Sequence, residues 1–319
     1  MRIVSLLPSA TETLCLVGGS RYLVGRSHEC DFPPQIHDRP ILTGQITDFT
    51  TSAEVDRAVS EAMASGSSLY TLDTRRLAAL RPDLILTQDL CEVCSIDLNT
   101  VRAAAAGMDP APTVVSLNPG SFEEVLDDVL TVGRAAGLEA EARAALVGLR
   151  ERFFRAADHV TPYTDGPRVA FLEWTDPIFV GGHWTPQLVE RAGAAHPLNP
   201  TKAIEGSGSG EGAQQAHRIA GKSRRIEAEA LIASEPEAII VCPCGLTLEQ
   251  AREETRLLAE QSWWRELPAV RAGRVAVVDG SQMFNRPGPR LVDAYEWLVG
   301  WLNDRPELIP KGFPWAELK

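Results

Sequence analysis

The chain has 319 residues, 44% hydrophobic and 23% charged, and a formal net charge of -12. That length sits near the limit of a single hydrophobic core, so two lobes are expected. The negative balance sets aside nucleic acid and anionic lipid surfaces as main partners, and no apolar run approaches the roughly 20 residues needed to cross a bilayer.

Residues 2–7, Arg2-Ile3-Val4-Ser5-Leu6-Leu7, predict a strand directly after Met1. A secretory signal needs a basic stretch and then an apolar run of roughly 7–15 residues before a cleavage site. Here the apolar run reads as part of the fold, so a cytoplasmic protein with reduced thiols is expected. Further β-rich runs follow at residues 23–27, 83–88 and 113–117. Between them Ser9-Ala10-Thr11-Glu12, Thr51-Ser52-Ala53-Glu54 and Ser121-Phe122-Glu123-Glu124 carry the capping-box pattern that opens a helix. Strands alternating with helices imply parallel pairing in a layered lobe.

Residues 139–159 predict one long helix, with Ala142, Leu146, Leu149, Phe153 and Ala156 on a single apolar stripe. At 1.5 Å per residue it is about 30 Å long. The segment from Thr161 to Pro167 ends it, and the pattern restarts with strands at residues 168–174, 237–241 and 274–279. Helices open at Thr185-Pro186 and near residues 290–302. The predicted fold class is α/β, two parallel-sheet lobes joined by a single long backbone helix. The expected division is an N-terminal lobe at residues 1–136, the connecting helix at 137–164, a C-terminal lobe at 165–305 and a tail at 306–319 that wraps the surface. The Gly- and Ser-rich residues 205–212 read as a surface loop or as a lid over a cleft.

Ligands of open parallel sheets sit beyond the carboxyl ends of the strands, so the side chains placed there are the candidates. His28, Glu29, Cys30 and Phe32 follow the second strand; Cys91 and Cys94 follow the third. Trp174 closes the fifth, with Phe179 and Trp184 just beyond; Cys242 and Cys244 follow the sixth; Phe284 and Arg286 follow the seventh. The cysteines at 30, 91, 94, 242 and 244 are candidate metal ligands. For Cys91-Glu92-Val93-Cys94, half of a tetrahedral site, redox chemistry and plain packing all fit the spacing. Cys242-Pro243-Cys244-Gly245 either lines a bend or presents sulfur to a ligand. Aromatics make up only 6% of the chain, and Trp174, Phe179, Trp184 and Phe284 near strand ends suit either a flat, bulky ligand or the core. Trp263, Trp264, Trp297 and Trp301 are assigned to core or surface. No Walker loop, G-x-S-x-G, H-E-x-x-H or G-x-G-x-x-G after a strand occurs, so no catalytic residue is assigned.

The chain resembles the substrate-binding proteins of ABC importers for vitamin B12 and iron chelates. The resemblance rests on Ile3-Val4-Ser5-Leu6-Leu7-Pro8-Ser9-Ala10-Thr11-Glu12, on Val24-Gly25-Arg26-Ser27 leading to Asp31-Phe32-Pro33, and on Leu80-Arg81-Pro82-Asp83-Leu84-Ile85. It continues through Glu235-Pro236-Glu237-Ala238-Ile239-Ile240 and Arg286-Pro287-Gly288-Pro289-Arg290. The resemblance implies two α/β lobes bridged by a helix and a non-catalytic binder holding cobalamin or a related corrinoid in the cleft between them. Trp174, Phe179, Trp184 and Phe284 would touch that ligand from one side, and the His28–Phe32 segment with the loop after Gln88 from the other. Haem, iron or zinc rank below the corrinoid. Three features depart from the exported relatives: the missing signal, Arg75 where the first lobe's acidic docking residue would stand (Glu229 matches on the second lobe), and the cysteine loops. These resemble a set of cytosolic relatives described as cobalamin-binding, and Arg75 weakens the expected docking to a permease. The alternatives are a thiolate-rich metal protein or metal-dependent enzyme, and the substrate-binding component of an ABC transporter.

Overall fold

The computed structural model describes residues 1–46, 51–65, 69–89, 96–161, 166–204 and 218–318. Cys91, Cys94 and the Gly- and Ser-rich stretch at 205–212 lie outside the described residues. The first lobe is built on a four-stranded sheet ordered Leu23–Arg26, Ile3–Ser5, Leu84–Thr87, Thr113–Ser116, all parallel. The predicted strands are therefore present, trimmed by one or two residues at their ends. All residues of the Ile3–Ser5 and Leu84–Thr87 strands are buried, as expected when helices cover both faces of a parallel sheet.

The second lobe holds a six-stranded sheet ordered Arg224–Arg225, Ile178–Val180, Val169–Thr175, Ala238–Val241, Val275–Val278, Trp315–Glu317. Its three central strands are parallel, and its outer strands run antiparallel. The sheet is thus mixed rather than purely parallel. The C-terminal segment, expected to wrap the surface, supplies the edge strand Trp315–Glu317 instead. A small antiparallel pair, Thr43–Gln45 with Tyr70–Leu72, was also unforeseen; three-residue strands are too short to show a period.

One backbone clip occurs in both lobes. In the first, the Thr74–Ala79 helix ends at Arg81, whose φ is 45°, and Pro82-Asp83 leads into the next strand. Arg2 then donates its backbone N–H to Asp83 Oδ2 at 2.6 Å and its Nε to Leu80 O at 2.6 Å. In the second lobe, the Ala228–Ala233 helix ends at Glu235, with φ 43°, followed by Pro236-Glu237. Arg168 donates its N–H to Glu237 Oε2 at 3.0 Å and its Nε to Glu235 O at 3.0 Å. In each case a proline stops the helix and an acidic side chain caps the start of the neighbouring strand. The order of elements repeats, and so does this joint.

The long helix runs Glu139–Ala157, and its predicted stripe, Ala142, Leu146, Leu149, Phe153 and Ala156, is buried throughout. It lies against the Phe122–Ala135 helix of the first lobe and the Leu291–Leu302 helix of the second. Phe153 stacks on Phe122 at 4.8 Å and on Tyr295 at 4.1 Å. Arg152 bridges Asp293 and Glu296 at 2.5 Å each. One continuous core runs through these contacts from Ile3 to Trp301.

Two of the three predicted capping boxes deviate. Thr51 and Glu54 exchange backbone and side-chain bonds at 3.2 and 3.3 Å, as the pattern requires. Ser121 caps Glu124 N, but Glu124 reaches the Gly120 N–H instead of returning to Ser121. The first helix starts at Pro8 with Leu7 as its cap and no side-chain cap bond, so Ser9 and Glu12 are not a box at all.

Candidate functional site

Between the lobes lies a cleft of about 880 Å³. Its walls come from the segments that follow the carboxyl ends of the strands in both sheets: residues 7–9, 28–31 and 88–89 on one side, and 177–185, 244–245 and 280–287 on the other. Val55, Asp56 and Val59 of the Ser52–Ser65 helix complete the first wall.

The aromatic wall is set by a hairpin. Val169–Thr175 turns back on Ile178–Val180, and Trp174 pairs directly with Phe179. The register slips between Leu172 and Trp174. An extra residue of this kind re-aims side chains that would otherwise alternate, which explains how both Glu173 and Trp174 face the cleft. Both are half-buried, as is Phe179. Trp184 and Phe284 also border the cleft but are mainly structural. Trp184 is buried and donates its indole N–H to Phe284 O at 2.6 Å. Phe284 is fully buried against Phe171 and Trp297. Phe284 and His183 both take left-handed backbone conformations, φ 59° and 56°, which cost on the order of 1 kcal/mol each. The indole bond and the His183 N–H to Gly221 O bond at 2.9 Å hold them there.

The loop at 280–287 is shaped by Asp279. Its buried carboxylate accepts from the backbone N–H groups of Ser281, Gln282 and Leu248 at 3.1, 3.1 and 3.2 Å. Gly280 lies so close to the Pro243 carbonyl that a Cβ would come within 1.9 Å of its oxygen. On the opposite wall, buried Arg26 holds the 28–32 loop by donating to the carbonyls of Cys30 and His37 at 2.8 and 3.3 Å. His28 uses both its backbone N–H and its Nδ1 against Thr43 Oγ1, at 3.0 and 2.7 Å. Burial holds its imidazole below the ordinary histidine range. Glu29 opens to the cleft, whose walls raise its carboxyl above the usual value despite the opposing charge of Arg286.

Three predicted residues lie outside the cleft lining, and a fourth is engaged within it. Phe32 is exposed outside the cleft lining, with the Arg290 guanidinium 4.4 Å over its ring. Cys30 and Cys242 are fully buried core residues. Cys30 meets Thr11 Oγ1 at 3.1 Å, and burial lifts its thiol to about 12; burial and neighbouring negative groups also raise the Cys242 thiol. Both sit in the core and neither lines the cleft, so both are corrected to packing residues. Arg286 lines the cleft, yet its guanidinium is occupied by Asp31 and Glu12, as described below. Cys244 remains in the cleft wall, half-buried, its N–H bonded to Glu173 O at 3.1 Å. Cys15 of the first helix is half-buried and packs against the core. Among the described residues, no group of three or more His, Cys, Asp or Glu side chains is placed to hold a metal ion.

The sequence reading missed a charge cluster that ties the lobes together beside the cleft. Glu12 of the first helix, its side chain 2% exposed, receives Arg290 through Nε at 2.9 Å and Nη2 at 2.5 Å. Arg286 Nη1 reaches Glu12 at 3.3 Å and Asp31 at 2.5 Å. Burial opposes ionisation of Asp31, but the Arg286 bonds and charge, aided by Arg290, outweigh it and hold the carboxyl below its ordinary value. The Glu12-to-arginine separation of over 270 residues, and its disguise as a capping-box glutamate, left no local signal. At the other end of the cleft Ser52 meets Thr175 Oγ1 at 3.1 Å, and Thr175 donates to buried Glu254.

This two-lobed frame, its backbone helix and its interlobe cleft agree with a match of residues 3–281 to the periplasmic binding protein family. The chain belongs to that family. Solved structures of periplasmic binding proteins share the architecture. The periplasmic vitamin B12 binding protein BtuF of Vibrio cholerae superposes with a TM-score of 0.64 at 18% identity, covering 96% of this chain and 98% of that one. A periplasmic haem-binding protein from Pseudomonas aeruginosa gives 0.66 at 20% identity, covering 95% and 92%. In sequence, a cobalamin-binding protein of Halobacterium salinarum is 23% identical over 297 residues, 92% of this chain. The chain spans 66% of that relative's length, just under two thirds. An uncharacterised ABC transporter substrate-binding lipoprotein of Bacillus subtilis is 23% identical over 302 residues, 93% of this chain and 78% of its own. No helix among the described residues of this binding protein is long and apolar enough to cross a membrane.

Proposed function

We propose that this family member is a receptor for a tetrapyrrole of the corrinoid class, cobalamin or a close relative, which it holds between its lobes without transforming it. The observation that carries the reading is the cleft itself. Its volume of about 880 Å³ lies in the upper part of the roughly 300–1,000 Å³ typical of small-molecule sites. The paired faces of Trp174 and Phe179 offer a flat apolar wall with little rotamer freedom to lose on contact. The family supplies binding proteins as its precedent, and relatives that bind cobalamin and haem supply the ligand class. Addition of cyanocobalamin to the purified chain is expected to perturb the corrin absorbance bands with saturating 1:1 behaviour, and Trp174→Ala with Phe179→Ala to weaken it at least tenfold. Unchanged bands at high protein concentration would sink the reading.

A second reading, delivery of the ligand to an ABC permease, is favoured by the Bacillus subtilis relative. Glu229 is exposed on the Ala228–Ala233 helix and Arg75 on the Thr74–Ala79 helix, both available to a partner. Co-purification with a permease, lost in Glu229→Lys, tests it; retention by that variant would count against Glu229 as a docking charge.

A further inference from the structure

We propose that the cleft selects an amide-decorated, uncharged macrocycle over one that carries carboxylates, because its own walls are acidic. The inference rests on the receptor reading above and names which member of the tetrapyrrole class the site admits. Among the described lining residues, Glu29, Asp56, Asp89 and Glu173 bring carboxyl groups and Lys222 a cation, while Asp31 and Arg286 pair with each other. Arg286 is already committed: its two terminal nitrogens engage Asp31, Glu12 and the Glu29 carbonyl, at 2.5 to 3.4 Å. It serves as a clamp between the lobes and is poorly placed to receive a ligand anion. His28 and His183 add no charge near neutrality, since burial depresses both imidazoles and Lys222 depresses His183 further.

The remaining wall is rich in groups that accept hydrogen bonds. Glu173 is fixed by Ser223 Oγ at 2.5 Å, Gln88 and Gln45 flank the first wall, and Ser281 and Asn285 the second. Carboxylates and amide oxygens in a recessed site welcome amide N–H donors. They repel a second set of carboxylates, because like charges then face each other across the cleft. A corrin ring whose rim bears amides meets this chemistry; haem, with its propionates, does not.

The test uses the full chain and three probes: dicyanocobinamide, whose rim is amidated; cobyrinic acid, the same ring with free carboxylates; and haemin. Calorimetric titration at low salt is expected to give dicyanocobinamide at least a tenfold tighter Kd than cobyrinic acid, roughly 1.4 kcal/mol or more, with haemin weaker still. The gap should narrow in high salt and in Asp56→Asn/Glu173→Gln. Equal or tighter binding of cobyrinic acid would overturn the charge selection and leave the receptor reading standing. Failure of both corrinoids to bind, with or without haemin binding, would overturn the receptor reading and this inference with it.

Discussion

At the scale of single residues, the difference between a cleft side chain and a core side chain turns on direction. Cys242 and Cys244 both follow a buried strand, yet Cys242 is sealed in the core and Cys244 faces the cleft wall; the turn at Pro243 and Gly245 separates them. Phe284 shows the same ambiguity, bordering the cleft while packing against Phe171 and Trp297. Phe284→Ala should therefore lower stability by about 3–5 kcal/mol, measured by denaturant unfolding, because it empties a fully packed site. A loss below about 1 kcal/mol would show that Phe284 is a ligand contact only. Asp128 offers a pH-dependent test. Burial, with help from Glu124 and Asp127, raises its carboxyl to about 7, and its Oδ2 is buried without a partner. The folded state then holds a proton that the unfolded chain has released, so this residue costs stability as pH rises from about 4 to about 7. Asp128→Asn should raise Tm by a few degrees at pH 8 and by nothing near pH 4; a gain that does not depend on pH would contradict the assignment.

Elements were the most legible part of the sequence, and their legibility had clear limits. The strands Leu84–Thr87 and Ala238–Val241 sit in runs of branched apolar residues bounded by helix-stopping prolines, and both were anticipated within a residue. The long helix was anticipated because its stripe repeats at three and four residues. What no local pattern could show was the pairing partner of each segment: the antiparallel edges of the second sheet, the Thr43–Gln45 ribbon and the terminal strand Trp315–Glu317 are decided by tertiary contacts. The Ser52–Ser65 helix illustrates a consequence for function. It belongs to the first lobe, lines the cleft with Val55 and Val59, and reaches the second lobe through Ser52 and Thr175. Removing that bond in Ser52→Ala/Thr175→Val should speed amide hydrogen exchange along this helix by about tenfold, from the loss of roughly 1–2 kcal/mol of local stability. Exchange unchanged in the helix would mean that the cross-lobe bond contributes nothing to holding it.

For the whole molecule, two arrangements set the behaviour of the cleft. Behind it, the Glu139–Ala157 helix is wedged between helices of both lobes by the Phe122, Phe153 and Tyr295 rings and by Arg152. Beside it, buried Glu12 and half-exposed Asp31 meet the largely buried Arg286 and Arg290 across the lobes. A helix fixed along both lobes permits only small relative rotation, and losing one partner of a buried charge pair is strongly destabilising. Trp174 was a candidate because it stands near the end of a strand that the pattern located, whereas Phe179 lies in the Ile178–Val180 strand, which the pattern did not show; the arginine clamp was not legible, because its members are far apart in sequence and only the fold brings them together. The claim on which the rest depends is that the space between the lobes receives a corrinoid. Calorimetric titration of the purified chain with cyanocobalamin tests it most directly. The prediction is saturable binding with one ligand per chain, abolished or weakened at least tenfold in Trp174→Ala/Phe179→Ala while the melting transition stays cooperative. Absence of heat, together with an unbound corrinoid after gel filtration, would contradict it.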